Sequence, residues 1–472
     1  MKDNIVNFPK DKIVKIHAMK EEGFHQKKIR ILEIQDRQLN FGQVMNVLTS
    51  SVKRPNKQQY TIAETFVGAG GSHLGFKNNG FKTVYVNEWD KNCIETLKHN
   101  NPEIFEESIV DNKDINDIDF KNLSSVLKNK VDVLFGGIVC KGFSLAGEKS
   151  PIDERNYLYE KQLDLVKSLN PKISVIENVP ALLNAKIVKK DIPSDIKQEI
   201  SSVWKELEKI KGIKAEKRKK SISTKEEDEK SEFLRDKKKK ILEKLEQENL
   251  FVRVIDDIVS KYNNLGYKVY YEILNSSWYG SYTARDRIVI IAVKNDIQKD
   301  YIFPEINHFQ EGLRKPKNIP ISKKYKKLNT INDALLQINY RNKKDIDNLP
   351  MQHSQKTIER FSYIPEGGNI QDVISKMPKN LHISKFYSRG CTMRLDRNKP
   401  SPTLVPGHSN FPVHPFEDRS ITVREAATIT GFPLNYKFFG SHSSRCEQVG
   451  NAVPIHLSNA IAKSIKTFLD SL

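Results

Sequence analysis

Short apolar segments alternate with helical segments along most of the chain from Tyr60 onward. The apolar segments predict strands over residues 61–66, 83–87, 131–135, 172–176, 268–273 and 287–293, and the segments between them predict helices that include 91–99 and 158–169. Such alternation is typical of a parallel sheet with helices on both faces. We expect the last two strands to pair at one edge, because they are close in sequence. The predicted fold class is therefore α/β, with a doubly wound, mostly parallel sheet.

The segments that break this alternation give the predicted domain organisation. Residues 1–57 are polar with mixed charge and form an N-terminal extension. Residues 58–300 form the main domain, with a charged helical insertion at about 185–250. Residues 301–415 are irregular, with several prolines and glycines, and predict a smaller loop-rich lobe. Residues 416–472 predict a C-terminal segment that packs back on the main domain.

The insertion carries basic clusters at 217–220 and 237–240, with an acidic run at 226–229 between them. A thin apolar stripe favours a pair of charged helices. The stripe consists of Leu207, Ile210, Leu242 and Leu245. We favour a solvated helical pair, and a contact with a DNA backbone or a protein partner is the alternative.

Composition indicates the cellular compartment of the protein and the class of molecule that it binds. The 472 residues carry a formal net charge of +19. This suits a polyanion, because Lys and Arg contacts to phosphate release counterions, although a solvated basic surface is the other explanation. The four cysteines include no Cys-x-x-Cys pair, which argues against a zinc site or disulfides and for a reducing cytosol. No apolar run approaches bilayer length, so we expect a cytoplasmic protein without a membrane or metal partner.

The stretch from Val131 to Gly147 is the most informative part of the sequence. A short apolar strand enters a Gly-Gly turn that presents Cys140, and open α/β folds bind ligands at the carboxyl ends of such strands. A free cysteine is more often a small buried hydrophobic residue. Cys140 alone therefore does not establish a catalytic site.

A glycine-rich turn predicts a ligand at the same edge. The first strand runs into Phe66-Val67-Gly68-Ala69-Gly70-Gly71, where glycines let a ligand approach the backbone and the N-terminus of the next helix. A dinucleotide fingerprint would require glycine at the position of His73, so the pattern disfavours NAD.

Polar and aromatic residues at the next strand ends favour an adenosine derivative as that ligand. Glu88 ends the second strand and is placed to hold ribose hydroxyls, while Trp89 is placed to stack on adenine. Asp114-Ile115 follows the expected third strand and is placed to meet the adenine amino group. The alternatives are a capping role for Glu88 and a core position for Trp89.

Two further blocks bring charged side chains to this edge. Glu177-Asn178-Val179 follows the strand over 172–176, and Arg285-Asp286-Arg287 begins the last strand. A thiol, a carboxyl and two guanidinium groups would then converge on one site. Each block alone is compatible with a capping glutamate or exposed arginines, but their order and spacing are unusual.

In these blocks the sequence resembles the cytosine-C5 DNA methyltransferase family. The resemblance runs from about Thr61 to the C-terminus, leaving out the N-terminal extension and the insertion. Seven blocks occur in family order: Glu64-Thr65-Phe66-Val67-Gly68-Ala69-Gly70-Gly71; Asn87-Glu88-Trp89-Asp90; Gly136-Gly137 through Cys140 to Phe143-Ser144; Glu177-Asn178-Val179; Arg285-Asp286-Arg287; Arg424-Glu425-Ala426-Ala427 with Gly431-Phe432-Pro433; and Gln448-Val449-Gly450-Asn451-Ala452-Val453-Pro454. The resemblance implies the fold of S-adenosylmethionine-dependent methyltransferases.

The resemblance implies a site-specific DNA cytosine-C5 methyltransferase. Cys140 would add to cytosine C6, which activates C5 by covalent catalysis. Glu177 would hydrogen-bond N3 and the exocyclic amine, and Arg287, with Arg285, would hold the O2 edge. C5 then takes a methyl group from S-adenosyl-L-methionine, and loss of the C5 proton expels the cysteine. The base must first be flipped out of the duplex.

The resemblance also implies binding residues. The cofactor-binding residues would be Phe66, Gly68, Gly71, Glu88, Trp89, Asp114, Ile115, Gly137, Leu158, Asn451 and Ala452. Residues 306–404 occupy the position of the target-recognition region. The candidate DNA-binding residues are Lys141, Ser144, Arg389, Arg394 and Arg397.

The sequence departs from the family pattern at positions beside the flipped base. The usual Pro-Cys-Gln at the nucleophile is replaced by a cysteine flanked by Val139 and Lys141, so a positive charge is added there. The usual glutamine two residues before the first arginine is Thr283, preceded by Tyr282 in place of proline. Glu64 replaces the commoner aspartate. We expect activity to survive these changes.

The resemblance also implies the partners. We expect a monomer that acts on double-stranded DNA and protects it from a cognate restriction endonuclease, which is a functional rather than a physical partner. One alternative is RNA cytosine-C5 methylation, which the sizeable recognition region disfavours. The other is a catalytically silent DNA-binding subunit with an active partner, which the presence of Cys140, Glu177 and Arg287 disfavours.

Overall fold

The computed structural model describes residues 59–138, 150–312, 316, 318–342, 344–384, 390–407 and 410–472, and the backbone of two short strands nearer the N-terminus. These strands, β1 (Ile5–Val6) and β2 (Leu39–Asn40), pair antiparallel. The chain divides into two compact units, Met1–Gln59 and Tyr60–Leu472.

A seven-stranded sheet forms the centre of the unit Tyr60–Leu472. The strands of this unit are β3 (Thr61–Thr65), β4 (Lys82–Asn87), β5 (Ile109–Asp111), β6 (Val133–Gly137), β7 (Ile173–Asn178), β8 (Lys186–Val188), β9 (Phe251–Arg253), β10 (Tyr267–Asn275), β11 (Asp286–Lys294), β12 (Ile306–His308) and β13 (Ile321–Lys326). The sheet has the order β10-β11-β7-β6-β3-β4-β5. β7, β6, β3, β4 and β5 are parallel to one another, whereas β11 is antiparallel to both of its neighbours. The prediction of a mostly parallel α/β sheet with its last two strands paired is confirmed.

Helices cover both faces of this sheet. The helices of this unit are α1 (Gly71–Asn78), α2 (Lys91–Asn100), α3 (Pro102–Glu107), α4 (Phe120–Leu127), α5 (Tyr159–Leu169), α6 (Ser194–Lys219), α7 (Lys225–Gln247), α8 (Val254–Asn264), α9 (Ile331–Leu335), α10 (Gln355–Ser362), α11 (Ile370–Val373), α12 (Val423–Thr430), α13 (His442–Asn451) and α14 (Ile455–Leu469). Successive residues of a strand point to opposite faces. In β11, Ile288 and Ile290 therefore pack with α4, α5 and α8, while Val289 and Ile291 pack with α1 and α14.

The observed strands differ from the predicted bounds by one or two residues, and two differences bear on the site. β6 continues through both glycines to Gly137, because Gly136 leaves room for the Gln162 amide, which a Cβ would meet at 2.5 Å. The third parallel strand ends at Asp111, three residues before Asp114. Asp114 instead caps a short 3-10 helix, where its Oδ1 accepts the Asn116 N–H at 2.9 Å. A strand of three residues gives too little periodicity to place it from sequence.

The terminal helix α14 packs directly on α1. Ser458 Oγ donates a hydrogen bond to the Gly71 carbonyl at 2.9 Å. A Cβ at Gly75 would lie 2.3 Å from Ser458 Oγ and 2.5 Å from the Ser458 carbonyl carbon. Glycine at position 75 is therefore required for the two helices to approach this closely.

Gly75→Ala is expected to lower the free energy of unfolding by about 1–3 kcal/mol, because the new methyl group overlaps the backbone of α14. Urea denaturation measures the change. Gly212→Ala is the matched control, since Gly212 lies on the exposed side of α6 with no atom near its Cβ position. That variant should be neutral or more stable by up to about 1 kcal/mol. Equal effects at both positions would contradict the packing argument.

The insertion folds as two long helices on a small base. α6 and α7 pack against each other, and β8 pairs antiparallel with β9 where the insertion leaves and rejoins the domain. Leu207, Ile210 and Leu245 of the predicted stripe are buried in a separate apolar cluster with Trp204. Ion pairs such as Lys217–Glu227 join the two helices along their charged length. The predicted pair of charged helices is thus present.

Within the described residues, no helix is long and apolar enough to cross a membrane. No group of three or more His, Cys, Asp or Glu side chains in these ranges is arranged to hold a metal ion.

Candidate active site

A buried ion pair lies at the carboxyl edge of the sheet. Glu177 is next to the end of β7, directly across from Gly137 at the end of β6. Its Oε1 lies 2.7 Å from Nε of Arg287 in β11, and each residue is only 7% exposed. The Nε–H does not point at the carboxylate, so Oε1 accepts no hydrogen bond from any of the described residues. A buried carboxylate oxygen without a donor is costly, and such a site favours a ligand that supplies an N–H.

Arg285, the other arginine of this block, points to a different part of the molecule. Arg285 is buried, and its Nη1 donates to the Gly450 carbonyl at 2.7 Å, just before Asn451. Its backbone is held by Ser276, whose Oγ accepts the Arg285 N–H at 3.0 Å. The structure thus brings Arg287 to Glu177 and uses Arg285 to hold the C-terminal segment. The predicted contact of Arg285 with the base stays a prediction.

Thr283 also has a structural task. Its side chain is buried, and Oγ1 donates to the carbonyls of Ser401 at 3.1 Å and Pro402 at 3.2 Å. The Ala284 N–H adds a bond to the Ser401 carbonyl at 2.7 Å. A short hydroxyl reaches only this neighbouring backbone. Thr283 therefore ties the segment before the two arginines to residues 401–402.

The chain that leaves β6 toward the predicted nucleophile passes beside Glu177. Asn178 Nδ2 donates to the Ile138 carbonyl at 3.3 Å, and Ile138 precedes Cys140 by two residues. Cys140 itself lies outside the described residues, as does Val139, which departs from the family pattern. The predicted DNA contacts Lys141, Ser144 and Arg389 also lie outside them. Their roles stay predictions.

Glu88 closes the glycine-rich turn with a buried carboxylate. Its Oε2 accepts the Gly68 N–H at 2.8 Å, and its Oε1 accepts the Asp90 N–H at 2.9 Å. Burial raises the pKa of Glu88 above the ordinary range. The capping alternative is wrong, because Asp90 is the residue that caps α2, through bonds from the backbone N–H groups of its first turn.

The turn itself is formed by unusual backbone angles. Phe66 has φ 52° and Gly68 has φ 57°, both in the left-handed region that favours glycine. A Cβ at Gly137 would lie 3.4 Å from the Phe66 carbonyl oxygen. The ends of β3 and β6 therefore approach each other through backbone atoms. The peptide groups of the turn would thus lie close to any ligand bound at this edge of the sheet.

Sequence patterns did not reveal the polar support beneath this turn. Glu64 is fully buried and accepts a hydrogen bond from Ser72 Oγ at 3.1 Å, with His73 Nδ1 2.9 Å from its other oxygen. His73, which only excluded a dinucleotide fingerprint in the sequence, thus helps join β3 to α1. The only available signal was a carboxyl group on an otherwise apolar strand.

Trp89 is 65% exposed, so the core alternative is wrong and its ring is accessible to a ligand. Asn112 holds the backbone here by donating from Nδ2 to the carbonyls of Glu88 at 2.8 Å and Trp89 at 3.1 Å. Asp114 is exposed. The prediction that the Ile115 side chain contacts the cofactor is corrected, because it is 3% exposed and packs in the core with α4 and α5.

The C-terminal segment closes on the glycine turn from the other side. Ala452 is buried, and its Cβ lies 3.1 Å from the Cβ position of Gly71. The neighbouring Asn451 is exposed at the end of α13. Leu158 is half-buried immediately before α5. Ala452 therefore lies beside the first turn, whereas the role of Asn451 stays a prediction.

Of the predicted DNA-reading arginines, Arg394 is corrected. It is 5% exposed, and all five of its N–H groups are used within the protein. They donate to the carbonyls of Phe361, Ile364, His414 and Glu417 and to the carboxylate of Asp418. Arg397 is half-exposed and paired with Glu366, its Nε 2.8 Å from Oε1. It remains a candidate for DNA contact.

A buried acid also joins the loop-rich lobe at 301–415, here called the recognition lobe after its predicted role, to the C-terminal helices. Asp347 accepts from Arg445 Nη1 at 2.8 Å and from the Phe438 N–H at 3.2 Å, and Arg424 Nη2 lies 3.4 Å away. Burial raises the pKa of Asp347. Nothing local in the sequence distinguishes Asp347 from its exposed neighbours, because its burial depends on helices 75 or more residues away.

Known proteins match this chain over most of the unit Tyr60–Leu472. A sequence model of the C-5 cytosine-specific DNA methylase family matches residues 60–203 and 239–467, leaving out the distal parts of α6 and α7. Type II methyltransferase M.Eco47II of Escherichia coli is 28% identical over 424 residues, covering 88% of this chain and 80% of the relative. Type II methyltransferase M.PspPI of Psychrobacter sp. (strain TA137) is 28% identical over 423 residues, with the same coverage. Type II methyltransferase M.Sau96I of Staphylococcus aureus is 27% identical over 427 residues, covering 88% and 78%.

Proposed function

Because the chain belongs to the C-5 cytosine-specific DNA methylase family, we propose that it methylates C5 of one cytosine within a short DNA motif. Its curated relatives are type II methyltransferases. We therefore assign it the protecting role in a restriction–modification system. In this role it acts as a monomer. The cognate endonuclease acts on the same DNA motif but does not bind the methyltransferase.

The observation that carries this proposal is the Glu177–Arg287 pair. Glu177 Oε1 is buried 2.7 Å from Arg287 Nε and accepts no hydrogen bond within the described part of the chain. Cytosine presents N3, an exocyclic amine and the O2 oxygen along one edge. A carboxyl beside a guanidinium matches that edge, since the carboxyl can accept from the amine while the guanidinium donates to O2.

The residues around the glycine turn fit S-adenosyl-L-methionine, the usual methyl donor of methyltransferases. Glu88 uses one lone pair of each oxygen for the backbone, which leaves acceptor capacity for ribose hydroxyls. The residues that would hold the donor are Phe66, Gly68, Gly71, Glu88, Trp89, Asp114, Gly137, Leu158, Asn451 and Ala452. The donor supplies an electrophilic methyl group when it is bound.

Affinity for S-adenosyl-L-methionine is expected to fall as the pH is lowered, beginning above the ordinary pKa range of a glutamate. Burial raises the pKa of Glu88, so its carboxylate takes up a proton at higher pH than a free side chain and then loses acceptor capacity. Isothermal titration calorimetry between pH 5 and 8 measures the effect. Glu88→Gln is the control, with affinity about 10- to 100-fold lower at neutral pH and a flatter profile. The same slope in both proteins would contradict this assignment.

The protein's part in the reaction starts with Cys140. Its thiolate forms a bond to C6 of the flipped cytosine, and the C5=C6 electron pair makes C5 nucleophilic. Glu177 supplies a proton or hydrogen bond at N3 as charge builds on the ring, and Arg287 stabilises charge at O2. After C5 gains the methyl group, its proton is removed, the double bond forms again and the C6–S bond breaks.

Contacts with the DNA backbone and bases would come from the loop after β6 and from the recognition lobe. The residues we assign to them are Lys141, Ser144, Arg389 and Arg397. Phosphate contacts fix position, whereas base contacts supply the sequence preference. Arg394 is left out because its donors are already used.

The test is methyl transfer from radiolabelled S-adenosyl-L-methionine to unmethylated genomic DNA, with RNA in parallel, followed by bisulfite sequencing. Label in DNA that maps to cytosines of one short motif supports the proposal. Label only in RNA would mean that the substrate is RNA and not DNA. No label in either, from folded protein that binds the donor, would identify a silent subunit and overturn the proposed activity.

A further inference from the structure

One short segment of this chain carries a large share of its net positive charge. Between Glu311 and Asp333 the sequence contains seven Lys or Arg residues and no acidic residue. That is more than a third of the formal net charge of +19. The long insertion, by contrast, has 17 basic and 13 acidic residues over 194–247, a net charge of only four. By charge, the shorter segment is the stronger candidate for binding a polyanion.

The described part of this segment is an exposed strand. Lys323, Lys324, Tyr325 and Lys326 lie in β13 and Lys327 follows it, and all five side chains are exposed. None of the four lysines forms an ion pair with a residue in the described ranges, whereas lysines of the insertion pair with nearby carboxylates. The charges of β13 are therefore not compensated within the described protein.

An aromatic ring is fixed among these lysines. Tyr325 packs edge-on against the buried Phe309, with ring centroids 5.9 Å apart and an interplanar angle of 90°. The backbone is fixed as well, because the Phe309 N–H donates to the Lys326 carbonyl at 2.8 Å. Basic side chains around a held aromatic ring on a rigid element are suited to a nucleic-acid surface.

This strand is joined to the edge of the main sheet that carries the active site. β13 pairs with β12, and a Cβ at Gly280 would lie 2.9 Å from the ring of His308, the last residue of β12. Asn329 Nδ2 donates to the Gly280 carbonyl at 2.7 Å. Gly280 lies in the loop that leads from β10 to Arg285 and Arg287. The basic strand is therefore anchored to the loop that places these arginines.

We propose that Lys323, Lys324, Lys326 and Lys327 form a binding surface for the phosphate backbone of double-stranded DNA beside the target site. This inference rests on the proposed function, since it names a contact surface for the same substrate. The lysines supply charge without reading bases, and Tyr325 adds a hydroxyl donor for phosphate. Binding through this strand is thus independent of the methylated motif.

The test replaces the four lysines by glutamine and measures affinity for a DNA duplex as a function of salt, without methyl donor. Four lost phosphate contacts reduce the slope of log K against log salt by about 3 to 4. Between 50 and 200 mM salt, the affinity of the variant should then fall about 100-fold less than that of the wild type. The loss should be equal for duplexes with and without the target motif.

Replacing the lysines at 237–240 by glutamine is the matched control, because it removes the same charge from α7. This control should keep the wild-type slope. Equal slopes for the two variants, or a wild-type slope for the β13 variant, would overturn the inference. A larger loss of affinity for RNA than for duplex DNA would also overturn it. Circular dichroism establishes that both variants are folded.

The binding assay and the transfer assay separate the two proposals. If the wild type methylates DNA but its salt slope does not depend on β13, only the surface is wrong. If the slope depends on β13 but no methyl transfer occurs, only the proposed activity is wrong. In the active enzyme, the β13 variant should show a rise in KM for DNA that exceeds any fall in kcat.

Discussion

The Cys140→Ser protein is expected to methylate DNA at least about 10⁴-fold more slowly than the wild type. A serine hydroxyl at neutral pH is a far weaker nucleophile than a thiolate, so C6 would not be attacked and C5 would stay unreactive. Tritium transfer to DNA under single-turnover conditions measures the loss. Binding of duplex DNA should be retained, because the substitution changes one atom.

Cys391→Ser is the control for this variant, because it makes the same chemical change at a partly buried cysteine in the recognition lobe. Its rate should stay within about twofold of the wild type. A second readout uses duplexes with fluorine at C5 of the target cytosine, where no C5 proton can be lost and the C6–S bond should persist. A denaturation-resistant complex with the wild type and none with Cys140→Ser is expected. Normal turnover by Cys140→Ser would contradict the assigned nucleophile.

Arg394→Ala is expected to lower the free energy of unfolding by about 3–5 kcal/mol. The substitution removes five hydrogen bonds, and the buried Ile364 carbonyl loses the donor that Arg394 Nε supplies. Chemical denaturation followed by circular dichroism measures the change. The recognition lobe should unfold first, because the arginine joins its residues 361–364 to residues 414–418 at its C-terminal boundary.

Arg397→Ala provides the contrast, three residues away. Arg397 forms a half-exposed ion pair with Glu366 and lies over the Phe416 ring, with Cζ 4.8 Å from its centroid. Its loss should change the free energy of unfolding much less than the loss of Arg394, because solvent screens an exposed ion pair. We expect weaker DNA binding with a nearly unchanged unfolding transition. The reverse pattern, a stable Arg394→Ala and an unstable Arg397→Ala, would contradict the roles assigned to the two side chains.

The helix and strand order of the main domain was predictable from sequence because it depends on local patterning. Apolar runs such as the one ending in Gly136-Gly137 and the one preceding Glu177 are strands with alternate residues on two buried faces. Their carboxyl ends must share an edge once the strands are parallel. For this reason the proximity of Glu177 to Gly137, and of Glu88 to the glycine turn, followed from order and spacing.

The different roles of similar residues were decided only by the tertiary structure. Arg285 and Arg287 are two positions apart, yet one donates to the Gly450 carbonyl and the other faces Glu177. Arg394 is buried among carbonyls, whereas Arg397 is half-exposed. Sequence periodicity reports whether a position suits a buried face, but it does not report which distant backbone groups surround a charged side chain. Those partners come from segments up to 165 residues away, so only the assembled chain determines which arginine stabilises the fold and which is available to a ligand.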